Sequence, residues 1–87
     1  MEDKELLGMV LLECESRLEK NPGFRPLSIV KDEVEYLLEL INGVTQDRSN
    51  LENIQIGLLA VREFETDAPE FADLIFQVME LVEKMKM

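Results

Sequence analysis

The chain of 87 residues contains no histidine, no tryptophan and a single cysteine, Cys14. Without histidine, the usual proton shuttle and the commonest transition-metal ligand are both missing. One cysteine builds neither an internal disulfide nor a thiolate metal site, and a disulfide-free chain suits a reducing cytoplasm. No G-x-G-x-x-G or G-x-x-x-x-G-K run occurs, which removes the standard phosphate cradles. No stretch approaches the ~20 apolar residues of a membrane span, and the opening MEDKELLG lacks the basic start and apolar run of a signal peptide. Bases are scarce as well: 9 against 19 acids, a formal charge of −10. A surface of that sign repels phosphate backbones and anionic lipid, so neither nucleic acid nor membrane is expected as a partner. A basic protein surface would be attracted to it.

Apolar residues make up 46% of the chain and are spread along its length. This composition suits a single domain spanning residues 1–87, with one core and no long disordered tract. The apolar positions recur at helical spacing, and no period-two run marks a strand. Leu7, Val10, Leu11, Cys14 and Leu18 form the stripe of a first helix, Asp3 to about Lys20. Asn21-Pro22-Gly23 ends it, with the glycine suited to a left-handed turn. Cys14 lies within the stripe, as a buried structural thiol would. A second helix runs from about Pro26 to Asn42, with Leu27, Val30, Val34, Leu37, Leu38 and Ile41 inward and Asn42-Gly43 as the stop.

Ser49 and Glu52 have the spacing of a capping box for a third helix. Leu51, Ile54, Leu58 and Val61 would form its stripe, with Ile56, Leu59 and Ala60 widening it, making it the most buried of the set. Gly57, in its middle, suits a close helix crossing. Asp67, Pro69 and Glu70 read as the N-cap, first turn and box partner of a fourth helix, striped by Phe71, Leu74, Ile75, Val78, Leu81, Val82 and Met85. Four helices with short connections predict an all-α fold, a compact bundle of mostly antiparallel neighbours.

Two acidic groups stand out. Asp32, Glu33, Glu35 and Glu39 lie mostly opposite the apolar face of helix 2, with Tyr36 among them. Glu63, Glu65 and Asp67 join helices 3 and 4. The latter three alternate like the opening ligands of a calcium loop, but the glycine position is Ala68 and the closing acid would be Leu74, so no metal site is expected. A paired-carboxylate hydrolase needs an enclosed cleft that so small a bundle hardly provides. No enzyme and no cofactor are expected. Both acidic groups read either as solvated faces or as a surface offered to a cationic partner.

Three stretches carry a resemblance: NPGF after helix 1, VEYLLELI in helix 2, and TQDRSNLENIQIGLLAVREFETDAPEF through helix 3 into helix 4. Spanning about Leu11 to Leu74, they resemble the small immunity proteins paired with type VI secretion effectors, of the family that neutralises NAD(P)-hydrolysing toxins. The resemblance implies an all-helical protein that binds a cognate toxin domain in the producing cell's cytoplasm and blocks its active site. A toxin that consumes an anionic dinucleotide would present a basic cleft, which an acidic inhibitor complements. Asp47, Arg48, Glu63, Phe64, Glu65, Asp67 and Pro69 match the family pattern. Their shared chemistry reads as structural: Asp47 or Ser49 capping helix 3, Asp67 capping helix 4, and Arg48 or Arg62 pairing with acids. Partner choice then falls to Asp32, Glu33, Glu35, Tyr36 and Glu39, with Glu63, Glu65 and Asp67 as further contact candidates. The tail after Met79 matches no part of the pattern. The alternatives are a small acidic helical adaptor or regulatory homodimer, or an immunity protein to a toxin of different chemistry.

Overall fold

Each long helix begins and ends where its local chemistry allows. A computed structural model describes residues 2–86; the terminal Met1 and Met87 of the expected 1–87 unit lie outside the described residues. Helix α1 (Asp3–Lys20) has Asp3 and Glu5 in its first turn and Arg17 and Lys20 in its last. That arrangement opposes the helix dipole at both ends. Helix α2 (Arg25–Ile41) carries Pro26 in its first turn. It closes with Val44 N–H on the Glu39 carbonyl (2.9 Å) and Gly43 N–H on the Leu40 carbonyl (3.3 Å). This paired cap needs a left-handed residue, supplied by Gly43 at φ 77°. Gly23 does not take the left-handed conformation expected of it; among the described residues only Gly43 does.

The third segment departs from the sequence expectation. A 3-10 turn, Ser49–Asn53, is followed by extended backbone at Ile54. A short helix α3 (Ile56–Leu59) then passes directly into a π turn, Ala60–Phe64. The Ser49–Glu52 capping box does not form: the Ser49 N–H bonds to Asp47 Oδ1 at 3.0 Å, and that turn has no side-chain cap. In the π turn, Glu65 N–H reaches the Ala60 carbonyl at 2.8 Å. Phe64 is buried on the same side as Ile56 and Ala60. Leu58 and Val61, expected in the core, face solvent at 58% and 53% exposure. This segment is therefore not the most buried one.

Helix α4 (Pro69–Lys86) starts at Pro69 as expected. Asp67 lies two residues before it, exposed, and makes no side-chain hydrogen bond among the described residues. The tail after Met79 continues α4, with Leu81 and Val82 buried. Arg48 donates from Nη2 to the Met85 carbonyl, so it caps α4, and it pairs with no acid among the described residues.

Helix α1 packs against α2 on one flank and α4 on the other. Arg17, late in α1, lies over the ring of Phe71, early in α4, so those two helices run antiparallel. The four-residue turn Asn21–Phe24 folds α2 back along α1. The third segment packs against both α2 and α4. The result is the all-α bundle expected, with Leu7, Val10, Val30, Val34, Ile56, Ile75 and Val78 fully buried in its core.

Gly57 provides the expected close crossing: a Cβ there would lie 2.9 Å from Met79 Cγ. Cys14 is fully buried, and its thiol donates to the Leu27 carbonyl at 2.9 Å. Burial pushes its pKa up to about 11, so it is unreactive near neutral pH.

Candidate functional site

Helix α2 divides its acids between two tasks. Glu33 Oε1 accepts the backbone N–H groups of Gln55 (2.9 Å) and Ile56 (3.1 Å). It therefore caps α3 from a neighbouring helix, 22 and 23 residues away in sequence. Burial raises its pKa, and the two N–H donors oppose that rise. Tyr36 donates its hydroxyl to the Asp47 carbonyl at 2.7 Å, tying the loop after α2 to the helix. The Ser49 hydroxyl and N–H in turn hold the Asp47 carboxyl below its usual pKa.

Glu33 and Tyr36, both candidate partner contacts, have polar groups engaged within the chain. They line a cleft of about 240 Å³ with Asp32, Asn50, Asn53 and Ile54.

Asp32, Glu35 and Glu39 remain exposed, and their i, i+3, i+7 spacing sets them on one outward row. On the adjoining helix, Glu15 and Glu19 are exposed and flank a shallow depression with Leu18 and Lys31. Five carboxylates thus spread over the outer surface of α1 and α2, with Lys31 as the half-buried cation among them.

The segment joining α3 and α4 is organised around three rings. Phe64 sits edge-on to Phe71 (centroids 5.0 Å) and to Phe24 (6.2 Å). Arg17 lies 4.9 Å above the Phe71 centroid and bonds Glu13 through Nε and Nη2, each at 3.0 Å. Beside these rings is a groove of about 340 Å³ whose wall includes Glu63 and Asp67 as well as Arg17 and Lys20. Glu63 and Asp67 are thus brought together among cations, whereas exposed Glu65 does not line this groove.

Among the described residues no group of three or more Cys, Asp or Glu side chains is placed to hold a metal ion. Ser28 and Lys31 have Ser-x-x-Lys spacing on α2, but no hydrogen bond joins them among the described residues, and Lys31 lies with Glu15 and Glu19. No helix among the described residues is long and apolar enough to cross a membrane.

The match to the Tsi6 family model covers residues 2–84, which takes in both acidic groups and all of the helical segments but the last two residues of α4. The chain belongs to the Tsi6 family. Tsi6 proteins are immunity proteins of type VI secretion, so the chain has a cognate toxin as its partner and its role is one of recognition. No curated protein and no solved structure matches the chain significantly. The resemblance read from NPGF, VEYLLELI and the VREFETDAPEF run agrees with the Tsi6 assignment at the level of the immunity family.

Sequence reasoning missed the exposed apolar residues Met9, Leu12, Leu58 and Val61. Leu12 was detectable, since it falls opposite the Leu7–Val10–Cys14 stripe. Leu58 and Val61 were not, because the segment turns Ile56 and Ala60 inward in their place.

Proposed function

We propose that this Tsi6-family protein binds a toxin domain that hydrolyses NAD(P), in the cytoplasm of the producing cell, and occludes its substrate cleft without catalysing any reaction. The observation that carries the reading is the exposure of Asp32, Glu35 and Glu39 on α2 and of Glu15 and Glu19 on the adjoining α1, in a chain of net charge −10. A cleft that binds an anionic dinucleotide is cationic, and such a surface meets it with complementary sign, speeding encounter. Glu65 and Asp67 extend the acidic character beyond the α3–α4 turn, while Glu33 and Tyr36 keep the contact face rigid from within. A rigid face loses little freedom on docking, which favours the tight binding that self-protection demands.

Co-expression with the toxin domain encoded beside this gene, following survival and cellular NAD(P) together, tests the reading. Restored growth with NAD(P) maintained supports it. Restored growth where NAD(P) never fell in the unprotected cells keeps the immunity role and rejects the toxin's chemistry.

A further inference from the structure

Helix α1 has two large apolar side chains on the side that the rest of the chain leaves uncovered. Met9 is 46% exposed and Leu12 is 71% exposed. With Leu74 of α4, Glu13 and Ser16, they line a shallow groove of about 440 Å³ between the two helices. Leu58 and Val61 are comparably exposed, but no groove accompanies them among those described.

Gly8 lies one turn before Leu12 on the same row of α1. A glycine inside a helix is destabilising relative to alanine, so its presence asks for a reason. For Gly57 the reason is Met79, 2.9 Å from where a Cβ would stand. For Gly8 the chain supplies none: a Cβ there meets nothing within 4 Å. Bare backbone beside an apolar groove allows another chain to approach closely. Around it the exposed charged side chains of α1 are mostly acidic, Asp3, Glu5, Glu15 and Glu19 against Lys4 and Lys20. A second copy would bring these same acids face to face, which disfavours a self-associated occupant. An apolar side chain surrounded by lysine or arginine satisfies both the groove and its rim.

We propose that the groove between α1 and α4 is the apolar anchor site for the toxin domain: a hydrophobic side chain on the toxin's cationic surface packs against Met9, Leu12 and Leu74, with its backbone lying over Gly8. This rests on the toxin-binding reading above and specifies where the contact is centred. The acids steer the encounter, and the groove slows dissociation.

The test measures binding of the wild type, Leu12→Glu and Gly8→Leu to the immobilised neighbouring toxin domain, with thermal unfolding and sedimentation of each free protein. Both variants should fold, Gly8→Leu with a raised Tm, and both should bind at least about tenfold more weakly, chiefly through faster dissociation. Wild-type binding matched by both variants overturns the groove and leaves the toxin reading intact. Absence of wild-type binding overturns the toxin reading and the groove with it. A wild-type dimer that Leu12→Glu dissociates, with toxin affinity unchanged, makes a second copy the occupant and also overturns the proposal. Gly8→Leu decides the matter if Leu12→Glu fails to fold.

Discussion

Gly57 faces Met79 so closely that a methyl group on Gly57 would lie 2.9 Å from the Met79 Cγ. Alanine's helix propensity and the resulting clash oppose one another here, and a half-buried Met79 can yield only in part. Gly57→Ala should lose about 1 kcal/mol net. Met79→Ala should cost less in the Gly57→Ala background than alone, a coupling that chemical denaturation of the four proteins measures. Gly8→Ala, with open space around it, should instead gain up to about 1 kcal/mol.

The cap that Glu33 places on Gln55 and Ile56 should respond to chemistry and to pH. Glu33→Ala leaves two backbone donors without their acceptor and should cost about 1–2 kcal/mol. Glu33→Gln keeps an acceptor oxygen and should recover most of that. The sign of the pH effect follows from the raised folded-state pKa: the folded protein holds this proton more readily than the unfolded chain, whose ordinary value is 4.5. Relative to Glu33→Gln, the wild type should lose stability as pH rises from about 4.5 through the raised value, and the difference should then level off. Urea denaturation of both proteins across that range checks it.

In the third segment Leu58 is exposed whereas Phe64 is buried. Leu58→Asp, on the exposed side, should shift stability by less than about 0.5 kcal/mol. Phe64→Ala, which removes the ring between Phe24 and Phe71, should cost about 3–5 kcal/mol. Comparable losses from the two would mean that Leu58, like Phe64, is part of the core.

Charge reversal at Glu35 and Glu39 tests steering. Both are exposed, so folding should change by less than about 0.5 kcal/mol. Association with the toxin domain should slow several-fold at low salt, with a weaker salt dependence, in stopped-flow measurements.

The three long helices were legible because their signals are local. The stripe from Leu7 to Cys14, Pro26 in the first turn of α2, the Asn42-Gly43 stop and Pro69 at the start of α4 each act within one or two turns. The third segment was not legible, since its start is capped by a residue 23 positions earlier. Its phase, with Ile56, Ala60 and Phe64 inward, depends on which side meets α2 and α4, and an apolar run broad enough to suit several phases does not select one. The same limit applies to the surface. Asp32, Glu35 and Glu39 could be placed outward from the period of α2, whereas the internal bonds of Glu33 and Tyr36 depend on where other segments pack.

Inhibition of purified toxin bears most directly on the central claim. The toxin domain's NAD(P) hydrolysis should be followed while the protein is titrated into it. Hydrolysis should fall linearly and stop near one inhibitor per toxin, as occlusion by a tight complex requires. Full hydrolysis in the presence of about tenfold excess of folded protein would contradict the account.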